Sequence, residues 1–112
     1  MRVLVAERDG ELVGHTAFGT SRDDDAPKEV GEVRSFFVGP AAWRRGVGRE
    51  LMTGALAGLA QMGFGQATLW SFAGNERANG FYEAVCFTRD GTERREAVWA
   101  DLLEVRYRRG LP

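Results

Sequence analysis

A turn carrying two glycines, Arg44-Arg45-Gly46-Val47-Gly48-Arg49, stands between a strand-like run, Val33 to Val38, and a helix-like run, Gly48 to Met62. This placement constrains the fold more than any other feature, because a strand delivered through a tight turn into a helix is an α/β unit. It also constrains the chemistry. The first amides of a helix have no partner within it, and together with the helix's positive end they form a site for an anion. A phosphorylated ligand is the natural occupant.

The rest of the chain reads as further strands and one more helix. Val3 to Ala6 and Leu12 to Phe18 flank Asp9-Gly10, a pair that favours a tight hairpin. Thr20 to Lys28, with three successive aspartates and a proline, has no apolar period and is expected to be an exposed loop. A third strand is expected from about Val30 to Val38. Its apolar positions change parity between Val33 and Phe36, as a bulge requires if those side chains share a face. Val47, Leu51, Met52, Ala55, Leu56 and Leu59 keep helical spacing, and Gly63 supplies a stop. Ala67 to Phe72 is apolar on both parities, as in a strand covered on two sides. Ala78, Phe81, Tyr82 and Val85 form a second helical stripe with Asn75 placed to cap it. Thr88 to Arg108 reads as an antiparallel pair joined by a long, charged excursion, with Arg106, Arg108 and Arg109 keeping an edge strand soluble. The expected fold class is α/β of the mixed α+β kind.

Composition narrows the function classes. The 112 residues, 44% of them hydrophobic, suffice for one core and one domain spanning 1–112. With 15 basic and 16 acidic side chains the formal charge is −1, which gives no long-range attraction to nucleic acid or to an anionic membrane. A single cysteine, Cys86, excludes an intrachain disulfide framework. No run approaches the length of a membrane span, and the opening apolar run is too short for a signal-peptide core. A reducing cytoplasm is the expected location.

Two nucleotide-binding signatures fail at the turn. A phosphate-cradling P-loop needs Lys and then Ser or Thr after its last glycine, where this chain has Arg49 and Glu50. A dinucleotide fingerprint needs a third glycine where this chain has Leu51. The stretch from Trp43 to Gly48 instead resembles the pyrophosphate loop of the GNAT superfamily of N-acetyltransferases, Q/R-x-x-G-x-G/A. Val33 to Pro40 resembles that family's fourth strand with its following proline. Asn75-Glu76-Arg77-Ala78-Asn79-Gly80-Phe81-Tyr82-Glu83 resembles its N-x-x-A-x-x-F-Y-E helix. Three segments in the family's order are far more specific than any one alone.

The resemblance implies a GNAT-like acyl-CoA N-acyltransferase fold, with a central, mostly antiparallel, splayed sheet and helices on both faces. It implies acetyl-coenzyme A as cosubstrate, no metal, and transfer of the acetyl group to a primary amine by direct attack in a ternary complex. Such chemistry needs a neutral amine, a donor at the developing oxyanion and a proton for the departing thiolate. By position, Tyr82 is the implied proton donor and Glu32 the candidate base. Cofactor contacts fall to backbone groups of Phe36, Phe37 and Val38, whose side chains are expected in the core, to the turn residues Arg44, Arg45, Gly46, Val47, Gly48 and Arg49, and to Asn75.

Other candidates carry less. His15 is expected to be structural, Asp23 to Asp25 a solvated loop, and Cys86 not an acyl carrier. Two departures from the family's pattern bear on the site: Trp43 stands where Gln or Arg is usual, and Cys86 where a glycine ends the helix after Tyr82. The chain begins at what resembles the family's second strand, without the strand and helices that usually wall the acceptor site. An exposed edge at Val3 to Ala6, open to a homodimer partner, is expected to follow. The rival reading is a non-catalytic acetyl-coenzyme A binding or protein-interaction module on the same fold.

Overall fold

The computed structural model describes residues 1–112, with six strands and two α-helices. The chain divides into two compact units, Met1–Ala67 with Gly110–Pro112, and Thr68–Arg109.

In the first unit, β1 (Arg2–Arg8) and β2 (Glu11–Thr20) form the expected hairpin. Asp9 and Gly10 both take positive φ, 53° and 82°, the two left-handed positions of a turn whose twist matches the strands it joins. β3 (Val30–Val38) pairs antiparallel with β2, so these strands run in the order β1-β2-β3. Val33 faces Phe18 and Ser35 faces Ala17, which leaves Arg34 as the extra residue of a bulge. The parity change in the sequence is thus a register shift. The bulged Arg34 reaches back to the end of β2, donating from Nε and Nη2 to the Thr20 carbonyl at 3.0 and 2.7 Å.

Helix α1 (Val47–Gln61) covers one face of these strands with Val47, Leu51, Met52, Ala55, Leu56 and Leu59. Its approach is close enough to require glycine. A Cβ on Gly58 would lie 2.4 Å from the ring of Phe18, which is itself 1% exposed. Burying a phenylalanine so completely contributes on the order of 2–3 kcal/mol. The helix ends with Met62 as cap and Gly63 at φ 96°. Gly63 N–H donates to Ala60 and Phe64 N–H to Leu59, which satisfies the last carbonyls.

In the second unit, β6 (Leu103–Gly110) lies between β4 (Gln66–Phe72) and β5 (Thr88–Arg95), pairing antiparallel with β5. The excursion between β5 and β6 is shorter and more apolar than expected: it presents Val98, Trp99 and Leu102 to solvent, with Glu96 and Asp101 its only charged residues. The arginines of β6 are also not solubilising edge residues. Arg106 is buried, with Nε 2.7 Å from Asp90 Oδ2, and Arg109 donates to the Val85 carbonyl at 2.9 Å. Two extra residues in β5 between Arg89 and Glu93 fold Asp90 back toward β6.

Candidate functional site

Within the first unit, β3 and α1 hold the expected anion-binding turn between them. Pro40–Ala42 forms one turn of 3₁₀ helix, after which Trp43 returns to extended geometry. Arg44 then takes φ 63° and Gly46 φ 83°, with Arg45 between them on the ordinary side. Alternation of hand over successive residues turns their N–H groups toward one concavity, the backbone nest that binds anions. No acceptor in the protein takes the N–H groups of Arg44, Arg45, Gly46, Val47, Gly48 or Arg49. The first helical bond is donated by Glu50, to the Gly46 carbonyl at 3.0 Å. Six consecutive amides without a protein partner at the N-terminus of a 15-residue helix form a donor cluster of the kind that can receive an anion.

The side chains add charge. Arg44, Arg45 and Arg49 are exposed, and no acidic group or carbonyl in the protein pairs with their guanidinium groups. Glu50, in the first turn of α1, is the one carboxylate close to them in sequence. A Cβ on Gly46 would meet nothing within 4 Å, so glycine serves there for its φ and not for space.

The three residues of β3 assigned to the cofactor divide. Gly39 N–H donates to the Val13 carbonyl at 2.8 Å, and Gly14 faces Val38. Antiparallel ladders alternate, so Phe37 exchanges its backbone bonds with His15, while Phe36 and Val38 turn theirs away from β2. The backbone of Phe37 is therefore spoken for, unlike the expectation. Its side chain is not core either: it is 52% exposed and stacks on the His15 ring at 5.7 Å. Phe36 and Val38 do pack inward, against Ala42, Val47 and Leu51.

Glu32 is 1% exposed, and Arg22 occupies it from the loop. Arg22 donates its backbone N–H at 2.9 Å and Nε at 3.3 Å to Oε1, and Nη2 at 3.0 Å to Oε2. This two-pronged contact anchors the loop that carries Asp23 to Asp25. Each carboxylate oxygen has two acceptor sites, so Oε2 retains capacity for one further bond.

Within the second unit, Asn75 caps α2 (Glu76–Ala84), its Oδ1 accepting from Ala78 N–H at 3.2 Å. Its side-chain amide donors remain uncommitted. Tyr82 is buried among Phe81, Phe87 and Tyr107, with ring centroids 5.9, 6.3 and 5.9 Å away. Burial, reinforced by the Tyr107 phenol, pushes the Tyr82 phenol up to about 12. At neutral pH it is protonated. Tyr107 in turn donates to Glu83 Oε2 at 2.8 Å and accepts from Arg89 Nε at 3.2 Å.

Several supporting residues have no motif to announce them. Asn79 is buried mid-helix, accepting from Ser71 Oγ at 2.6 Å and donating to the Phe72 and Ala73 carbonyls at 3.2 Å each, which fixes α2 to the end of β4. An asparagine at a core-facing helical position, where it is intrinsically unfavourable, was the available signal. Arg8 donates Nη2 to the Arg45 carbonyl at 3.2 Å, and Trp43 donates its indole N–H to the Val38 carbonyl at 2.9 Å. No cluster of three or more His, Cys, Asp or Glu is placed to hold a metal ion, and no helix is long and apolar enough to cross a membrane.

Residues 1–86 match the sequence profile of the Acetyltransferase (GNAT) family. An uncharacterized N-acetyltransferase of Archaeoglobus fulgidus is 40% identical over 81 residues, which are 71% of this chain and 55% of that protein. A mycothiol acetyltransferase of Cellulomonas flavigena is 36% identical over 95 residues, 80% of this chain and 27% of its own length. The chain thus spans about half of one curated relative and about a quarter of the other. Among solved structures, yncA of Salmonella typhimurium with its cofactor acetyl-CoA superposes with a TM-score of 0.80 at 22% identity, covering 98% of this chain and 64% of that one. The IAA acetyltransferase of Bacillus cereus gives 0.83 at 13% identity, covering 97% and 77%. At these identities the structural likeness speaks for the fold.

Proposed function

The chain belongs to the GNAT acetyltransferase family, and from that premise we propose that it binds acetyl-coenzyme A and transfers the acetyl group to a primary amine by direct attack. The observation that carries this reading is the run of six unpaired amides from Arg44 to Arg49, which includes three arginines with unpaired side chains. Amides alone are common at helix ends, but a nest with uncommitted guanidinium groups beside it suits a diphosphate, whose oxygens take charge-assisted bonds. A structural relative, yncA, holds acetyl-CoA as its cofactor.

The residues then divide the work. The turn holds the pyrophosphate. Phe36 serves the pantetheine arm through its backbone and Val38 through its N–H, which acts as the donor to the thioester carbonyl. Tyr82, protonated at any physiological pH, gives its proton to the departing thiolate. Asn75 contributes its free side-chain amide donors. Glu32 takes the amine's proton through the remaining acceptor site on Oε2. The edge of β1, where Val3 and Val5 are 58% and 54% exposed, is the proposed contact for a second copy. A strictly monomeric sedimentation profile across micromolar concentrations removes that contact.

One observation favours a second reading, cofactor binding without transfer: Arg22 already holds both oxygens of Glu32. Calorimetric titration with acetyl-coenzyme A, with 3′-dephospho-coenzyme A and ATP as controls, tests what the two readings share. Micromolar binding lost in Gly46→Glu supports the turn assignment, and an unchanged dissociation constant in that variant refutes it. Thiol release with a panel of amines then separates transfer from mere binding.

A further inference from the structure

Two carbonyls of the segment that carries the unpaired amides are tied back by side chains of the first unit. Ahead of the amides, alternation turns the Val38 carbonyl away from β2, and the Trp43 indole N–H donates to it at 2.9 Å. Within the run, Arg8 donates to the Arg45 carbonyl at 3.2 Å. A free carbonyl beside a phosphate site presents negative charge to the ligand, so each tie offsets one repulsive group. The Val38 tie also fixes geometry. It spans five residues, from the last position of β3 across the 3₁₀ turn, and it joins the strand's end to the residue just before the left-handed Arg44. Trp43 is 40% exposed, so its ring lies at the surface end of the turn.

We propose that Trp43 is a positioning residue for the phosphate-binding turn: its indole N–H occupies the Val38 carbonyl and sets the pose of the amides from Arg44 to Arg49. The proposal rests on the acetyl-coenzyme A reading above. It also restricts Val38 to one outward group, its N–H.

The test compares wild type with Trp43→Phe, which keeps a ring and loses the donor, and Trp43→Gln, which loses the ring and keeps a donor. Each is titrated with coenzyme A and with inorganic pyrophosphate alone, while NMR follows the amides of Gly46 and Gly48 and the exchange rate of the Trp43 indole proton. A neutral hydrogen bond of ordinary strength predicts that Trp43→Phe weakens both ligands roughly fivefold, and that Trp43→Gln recovers most of that loss. The indole proton should be protected in the free protein. Equal affinities in wild type and Trp43→Phe, or a Trp43→Gln variant no better than Trp43→Phe, overturn the positioning role while leaving the cofactor reading intact. A wild-type protein that binds neither ligand fails the cofactor reading itself, and the positioning role falls with it.

Discussion

Arg22 closes on Glu32 from two directions, its backbone N–H and Nε meeting Oε1 while Nη2 meets Oε2 at 3.0 Å. The carboxylate is almost wholly buried, with 2% of its side chain exposed, whereas 57% of the Arg22 side chain faces solvent. Removing the arginine strands a buried anion with only the backbone donor. Arg22→Ala is therefore expected to lower the unfolding free energy by about 1–3 kcal/mol, the range for a charged bond whose other partner is partly solvated. Urea denaturation at pH 7 checks it, and an unchanged midpoint means that the contact contributes nothing.

Glu32→Gln separates anchoring from catalysis. The amide keeps the shape and one acceptor oxygen, so an anchor loses stability and little turnover. A general base loses turnover by about 100-fold or more, together with the acidic limb of the pH–rate profile. Steady-state rates of the variant from pH 5 to 9 distinguish the two.

Tyr82 carries two expectations. As the thiolate's proton source, its replacement by Phe should cut turnover by about 100-fold or more while the coenzyme A dissociation constant stays put. Equal turnover removes Tyr82 from the mechanism. The second expectation concerns stability. The folded phenol titrates near 12 against 10.0 in the unfolded chain. The unfolded state thus releases its proton first, so the neutral phenol's contribution is complete below pH 10 and drains away as pH rises toward 12. The loss amounts to roughly 2–3 kcal/mol. Tyr107 also titrates high, so the measurement is the difference between wild type and Tyr82→Phe in denaturation midpoints from pH 8 to 11.5. If the two fall in parallel, burial of Tyr82 is not what shifts it.

Asp90 stabilises the β5 bulge from within. Burial alone would raise its carboxyl, but the Thr92 N–H and the Arg106 guanidinium overcome that and hold it below its usual 3.8. Arg108 joins at 3.3 Å. Asp90→Ala leaves the buried Arg106 with only Thr92 Oγ1 among these contacts, and should cost about 2–4 kcal/mol. With a depressed carboxyl, this contribution is present above about pH 4 and is lost as pH falls through the folded value. The gap between wild type and Asp90→Ala should therefore narrow in acid. A constant gap from pH 7 to 2.5 would show that the pair's charge is immaterial.

What the sequence made legible follows from which interactions are local. Asp9-Gly10, the parity change at Arg34, Gly63 and Asn75 each act within a few residues, and each forms the feature its chemistry implies. The backbone shape of the turn from Arg44 to Arg49 is local in the same way. Arg22 with Glu32, Arg8 with Arg45 and Asp90 with Arg106 join residues 10, 37 and 16 positions apart, and nothing in a pattern of spacing selects those partners. Phe37 shows a different limit. Its hydrophobicity argued for the core, but the bulge fixes its face, and that face is half exposed.

Cys86 ends α2 where the family's pattern has a glycine, four residues after Tyr82. It takes φ 74°, and the cap closes regardless: Cys86 N–H donates to the Glu83 carbonyl at 3.1 Å and Phe87 N–H to that of Tyr82 at 3.0 Å. The backbone of Tyr82 is thus held by the same bonds that a glycine would make, and the cost is borne as left-handed strain at one side chain. Cys86→Gly should relieve about 1 kcal/mol of that strain, less what glycine's freedom costs the unfolded chain in return. The thermal midpoint should rise while turnover and the high Tyr82 titration stay unchanged. A lower midpoint means that the Cys86 side chain contributes packing that outweighs its strain. A changed turnover means that the cap does not set the pose of Tyr82.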